Sequence, residues 1–200
     1  MPPRSAVRGA GRLRLASESE NTPLVASSVL GMLLFVGMEV MFFAGLISAF
    51  TIIRAQTPIW PPAGQPRLPV EETAVNTAAL LLSGVALAWA HRVFGRDRRR
   101  ARTPLLASML LGAFFVIFQG AEWVALLSQG LTLTSSSLGS FFYLIVGLHA
   151  LHAVIALGLL AYSWLRLRRG WLRQSQLVTA EVFWYFVVGV WPVLYGVVYL

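Results

Sequence analysis

The sequence has no cysteine and no lysine. Without cysteine there is no disulfide, no thiolate metal site, no thiol nucleophile, no CxxCH haem attachment and no cysteine-bridged copper pair. Acidic residues are few, one aspartate (Asp97) and seven glutamates. A single loop aspartate cannot form a paired-aspartate site, and no serine-centred nucleophile is visible, which argues against an intramembrane hydrolase. Charge of either sign is thin at 12 %, whereas 57 % of the residues are hydrophobic and the mean hydropathy is +0.70. Those proportions over 200 residues describe a membrane protein. All sixteen basic residues are arginine, giving a net charge of +8. In a soluble chain that would point to nucleic acid; here the arginine positions assign it to membrane topology, and no nucleic-acid partner is expected.

Apolar stretches of about 20 residues, enough to cross roughly 30 Å of hydrocarbon, occur five times. They cover about 25–53, 73–90, 105–127, 138–165 and 177–200. Pro23 and Pro104 stand just before the first and third, where a missing N–H costs little. Cytoplasmic loops accumulate arginine. Four arginines lie in the N-terminal tail (Arg4, Arg8, Arg12, Arg14), six between spans two and three, and four between spans four and five, against only Arg54 and Arg67 on the other side. The expected fold is an all-α membrane protein, a five-transmembrane-helix bundle with the N-terminus cytoplasmic and the C-terminus outside. Residues 1–23 are expected to form a retained arginine-rich tail, because no small-residue cleavage pattern follows them, and 24–200 the transmembrane domain. Trp60, Trp89, Trp123, Trp164 and Trp171 fall near span ends, as amphipathic rings should. Ala44/Ser48 and Gly45/Ala49 make a small-residue face on the first span that is expected to pack on protein.

Polar residues inside the spans carry the functional reading. Glu39 lies at the midpoint of the first span. An ionised carboxylate at that depth is costly, so a protonated or hydrogen-bonded acid is expected, in proton or lipid chemistry or as a bond between helices. Gln119 and Glu122 share a face near the outer end of span three. Glu122 reads equally as a functional acid and as an interfacial carboxylate reached by water or by a partner's donor. His149 and His152 share a face mid-way along span four, at the depth of Glu39, while His91 lies at the inner surface. Two histidines at this spacing could ligate metal, but the haem and copper centres of an oxidase's catalytic subunit need about six. Hydrogen bonding to an acid or to a lipid headgroup is the expected use, with no metal site and no catalytic residue in this chain. Glu181 near the start of span five suits a helix N-terminus, and Pro192 should free the carbonyl of Val188 and bend that helix.

At these residues the sequence resembles subunit III of the haem-copper cytochrome c oxidases, from about Ser28 to Leu200. Glu39-Val40-Met41-Phe42-Phe43-Ala44-Gly45 looks like the family's glutamate motif, whose acid is carbodiimide-reactive. Trp60-Pro61-Pro62, Leu68-Pro69, Asn76-Thr77, Leu81-Leu82, Ser83-Gly84 and Ala88-Trp89-Ala90-His91 resemble its next loop and helix. Gln119 to Trp123 is similar to a Q-x-x-E-aromatic segment, Gly147 to His152 to G-x-H-x-L-H, and Trp184, Phe186, Val187 and Trp191 to the last helix. Two departures stand out: Tyr185 where the family usually has His, and Val188 where it usually has Asp. The longer members have seven helices, and this chain resembles the last five; losing two preserves the N-in orientation and leaves open the lipid-holding cleft, unless another subunit covers it.

The resemblance implies a non-catalytic subunit of a haem-copper terminal oxidase in aerobic respiration. Such a subunit stabilises catalytic subunit I beside other oxidase subunits, binds phospholipid and supports proton uptake. Haem and copper would lie in the partner subunits, with no cofactor in this chain. A bacterial inner (cytoplasmic) membrane is the expected location. An accessory subunit of a nitric oxide reductase or quinol oxidase is the related alternative. An autonomous small proton-coupled transporter is the alternative of another class, although no repeat and no broken-helix pair is visible.

Overall fold

The computed structural model describes residues 26–58 and 68–200. The N-terminal tail, Pro23, Trp60-Pro61-Pro62 and Arg67 lie outside the described residues. Five helices follow in order: α1 (Ser27–Gln56), α2 (Val70–Phe94), α3 (Arg102–Ser128), α4 (Ser137–Arg168) and α5 (Gln174–Leu194), the last running into a π-turn at Tyr195–Tyr199. All five segments are long and apolar enough to cross a membrane. The chain is an all-α, multi-pass membrane protein.

The helices run a few residues beyond the apolar stretches, because a helix does not stop at the hydrocarbon boundary. α2, with 25 residues, is about 38 Å long. Its extra turns carry charge suited to the helix dipole, Glu71 and Glu72 in the first turn and His91 and Arg92 in the last. Gly130 and Gly170, at φ +91° and +78°, end α3 and α4 in the left-handed conformation. There the N–H of Leu131 returns to Leu126 and that of Trp171 to Arg166, satisfying carbonyls left over by the last turn. Arg54, the one described arginine at the arginine-poor end, donates to the carbonyls of Val197 and Leu200, where α5's negative pole needs a cation.

α2, α3, α4 and α5 close a ring in chain order, α5 returning to α2, and α1 lies outside it against α5 and α4. Two tryptophans of α5 fill the ring. Trp184 enters where Gly112 of α3 leaves room, a Cβ there falling 2.5 Å from its ring, and its Nε1 donates to Ser83 Oγ of α2 at 3.1 Å. Trp191 Nε1 donates to Thr77 Oγ1 at 2.8 Å. Gly84 brings α2 against the side chain of Val188, so Val188 makes an apolar contact between α2 and α5.

The structure adds detail at two places. The small residues of α1 do not pack within this chain: Ala44, Gly45 and Ser48 are exposed, and α1 docks instead through Phe43 and Phe50. The wide flat rings reach the groove between α4 and α5 that small side chains on the other face cannot. Pro192 lies within α5 and the helix widens just after it, so that Tyr199 is carried back into the bundle, 7 % exposed.

Candidate functional site

Polar side chains gather at three levels of the bundle. The middle level joins α1 to α4. Glu39 Oε2 lies 3.2 Å from His152 Nε2. His152 Nδ1 is 2.7 Å from the Leu148 carbonyl, which can only accept, so Nδ1 carries a hydrogen. Nε2 is then the ring nitrogen that faces the carboxyl group of Glu39. The rings of Phe43, Phe183 and Phe186 surround His152 at centroid distances of 5.5 to 6.0 Å, which excludes water from most of the contact.

His149, one turn away on α4, has a different setting. It is 1 % exposed, its ring lies 5.0 Å from that of Trp191, and neither ring nitrogen has a hydrogen-bond partner. It borders a cavity of about 160 Å³ between α3 and α4, shared with Gln119, Trp123 and Trp191. Trp123 Nε1 is unpartnered as well. A space of that size with polar atoms on its wall has room for water. The two histidines share a face, as their spacing requires, yet only His152 meets the acid.

At the arginine-poor end, α2, α3 and α5 build a closed network around Glu122, which is 8 % exposed. Thr73 Oγ1 lies 3.1 and 3.2 Å from its two oxygens, and Gln119 Nε2 donates to it at 2.9 Å and to Tyr199 OH at 3.0 Å. Asn76 Nδ2 donates to the Phe115 carbonyl and, at 3.4 Å, to Gln119 Oε1. The donors to Glu122 come from this chain itself. Thr73, Asn76 and Tyr199 were not among the residues picked out as site members. Their signal was nonetheless present, a stripe of Thr73, Asn76, Thr77, Ser83 and Gly84 down one side of an otherwise apolar helix. Polar residues in a transmembrane helix face the bundle interior.

At the arginine-rich end His91 Nδ1 lies 2.7 Å from Glu181 Oε2, tying the last turn of α2 to the first turns of α5. Glu181 is 4 % exposed. Tyr185 and Arg92 join the pair around a pocket of about 250 Å³. Glu181 therefore has a side-chain partner in addition to the helix N-terminus expected to favour it. Among the described residues, no three or more His, Cys, Asp or Glu side chains come together as a group that could hold a metal ion.

The profile of the family described as "Cytochrome c oxidase subunit III" matches residues 16–200. Cytochrome c oxidase subunit 3 of Oryctolagus cuniculus is 33 % identical over 91 % of this chain and 73 % of its own length. The proteins of the same name from Gadus morhua, at 35 %, and Homo sapiens, at 33 %, cover the same shares. With five membrane-crossing helices, polar residues drawn to their inner faces and a match across nearly its whole length, the chain belongs to the cytochrome c oxidase subunit III family and is a subunit of a haem-copper oxidase.

Proposed function

We propose that this chain is the non-catalytic subunit III of a terminal oxidase in a bacterial cytoplasmic membrane. It is read as holding phospholipid beside catalytic subunit I, supporting proton uptake and carrying no redox centre itself. The observation that carries this reading is the contact of Glu39 with His152. A helix that lies outside the ring of the other four brings an acid within 3.2 Å of a histidine mid-membrane, walled in by phenylalanines. Ionisable groups at this depth are costly and by default mark a functional site, which supports a proton-linked or lipid-linked role. The exposed face of α1, with Leu34, Met38 and Met41 each more than 60 % exposed, supports a lipid or subunit boundary on that side.

The test is removal of the subunit from the complex with mild detergent. Haem spectra and initial oxygen reduction should persist, because the chain supplies no ligand to those centres, while turnovers before inactivation should fall and added phospholipid should restore part of them. Loss of the haem spectrum on removal would contradict the reading. Carbodiimide should modify Glu39 in the intact complex, and Glu39→Gln should also shorten durability. A colourless species purifying as a single chain would favour the transporter reading instead. The orientation is tested separately, which the lack of cysteine makes clean: Gln129→Cys should react with an impermeant reagent from outside and Trp171→Cys should not.

A further inference from the structure

The densest like charge among the described residues lies at the arginine-rich end, where two connections meet. A pocket of about 340 Å³ is lined by Arg98, Arg99 and Arg102 from the α2–α3 side and by Arg168 and Arg169 from the end of α4. No carboxylate lines it. Asp97, the acid in these connections, is engaged by the backbone N–H groups of Arg99 and Arg100 and by the Arg100 side chain.

The arginines are held around the hollow. Arg98 Nη1 donates to the Leu172 carbonyl at 3.5 Å and its guanidinium lies over the Phe94 ring; Arg102 Nη2 donates to the Arg168 carbonyl at 3.2 Å; Arg168 lies over Trp164. The left-handed Gly170 turns the chain at the rim. Arg99 and Arg169 have no ion-pair partner among the described residues, and Arg102 Nε is buried with no hydrogen-bond partner. Membrane orientation asks only that arginines collect on one side, and spreading them would lower their mutual repulsion. Convergence of two connections on one concavity, with a buried guanidinium N–H left over, is a separate feature that orientation does not account for.

We propose that this pocket binds a phosphate-bearing anion, which would meet the fork of N–H donors that guanidinium presents to phosphate oxygens. The pocket lies at the helix ends, beyond the apolar stretches, at the depth of a headgroup layer. The phosphate of an anionic phospholipid and free inorganic phosphate are the two sources of this one chemistry. The site is separate from Glu39 and His152, so the role proposed for that pair can fail without it, and the reverse.

The experiment titrates the purified complex containing this chain with phosphatidylglycerol, phosphatidylcholine and inorganic phosphate in separate arms. The wild type is compared with Arg99→Gln, with Arg169→Gln, with the double variant of the two, and with Arg166→Gln, whose guanidinium bonds the Tyr162 hydroxyl outside the pocket. The double variant should bind the anion about tenfold more weakly and each single variant about threefold, with Arg166→Gln and phosphatidylcholine binding unchanged. If phosphatidylglycerol alone shows this dependence, the occupant is a lipid headgroup; if inorganic phosphate shows it, the occupant is free phosphate; either result supports the site. Equal anion affinity in wild type and double variant, or an equal loss in Arg166→Gln, overturns it, since the arginines then act only as diffuse surface charge. Arg99 and Arg169 are exposed, so an unchanged unfolding midpoint in the variants separates a lost site from a lost fold.

Discussion

α1 and α5 are both apolar enough to cross a membrane, yet they play opposite parts in the bundle. In the most apolar stretch of α1 only 6 % of residues are buried within the chain, against 56 % in α5. α5 touches α1, α2 and α4, fills the ring with Trp184 and Trp191, and bonds each to a hydroxyl of α2. α1 offers Phe43, Phe50, one acid and, near its end, Arg54 on the Val197 and Leu200 carbonyls. In lipid the hydrophobic effect does not separate these cases, because tails are as apolar as leucine. What separates them is packing volume and polar satisfaction: α5 is locked by shape and hydrogen bonds, and α1 is attached at a few points.

The strongest way to break this contrast is to empty the α5 wedge. Trp184→Ala removes a ring that is 0 % exposed and leaves Ser83 Oγ without its donor, and should cost about 3–5 kcal/mol. Met41→Ala on α1, where the side chain is 76 % exposed, should stay within about 0.5 kcal/mol. Thermal unfolding of the detergent-solubilised protein, followed by circular dichroism, measures both. Similar losses at the two positions would mean that α1 is as integral as α5.

A smaller effect is expected at the arginine-poor end. Gln119→Leu removes the donor shared by Glu122 and Tyr199 and should cost about 1–3 kcal/mol by leaving buried polar atoms unpaired. The same unfolding assay checks it, and Thr73→Val should add less than its own separate cost, because both act on one network.

The smallest effect concerns α1's own anchor. A double-mutant cycle of Glu39→Gln and His152→Phe should give a coupling near 0.6 kcal/mol, the scale of interhelical hydrogen bonds in membranes. That is little stability for so unusual a pair, and the contrast sharpens if both single variants nonetheless shorten turnover durability. No coupling, together with full durability, would reduce the contact to proximity.

The legible part of the fold was the part written in local composition. Runs of apolar residues mark the crossings, and arginines punctuate the connections, so the five helices could be read off directly. The depth match of Glu39 with His149 and His152 was also readable, since depth is a count of residues along each span. Which of the two histidines meets the acid was not, because a three-residue offset on one face leaves both within reach until the helices take up a rotation. The Glu122 network was half visible: Gln119 is three residues away on the same helix, whereas Thr73, Asn76 and Tyr199 come from elsewhere. Tyr199 reaches the site at the end of the π-turn, and a hydropathy reading carries no signal for that widening.

By itself, then, the sequence determined that five of its segments can cross a membrane, that its chemistry excludes thiolate sites and aspartate dyads, and that its intramembrane acids and histidines lie at particular depths. These are one-dimensional properties, set by each residue's cost in hydrocarbon and by the rise of a helix. The tertiary structure decided that α1 stands outside a ring of the other four, that it docks through phenylalanines and not its small residues, that His152 and not His149 faces Glu39, and that arginines of two connections line one hollow. Those outcomes depend on how helices rotate and nest against one another, which is settled by side-chain volumes and by the need of each buried polar atom for a partner across the gap.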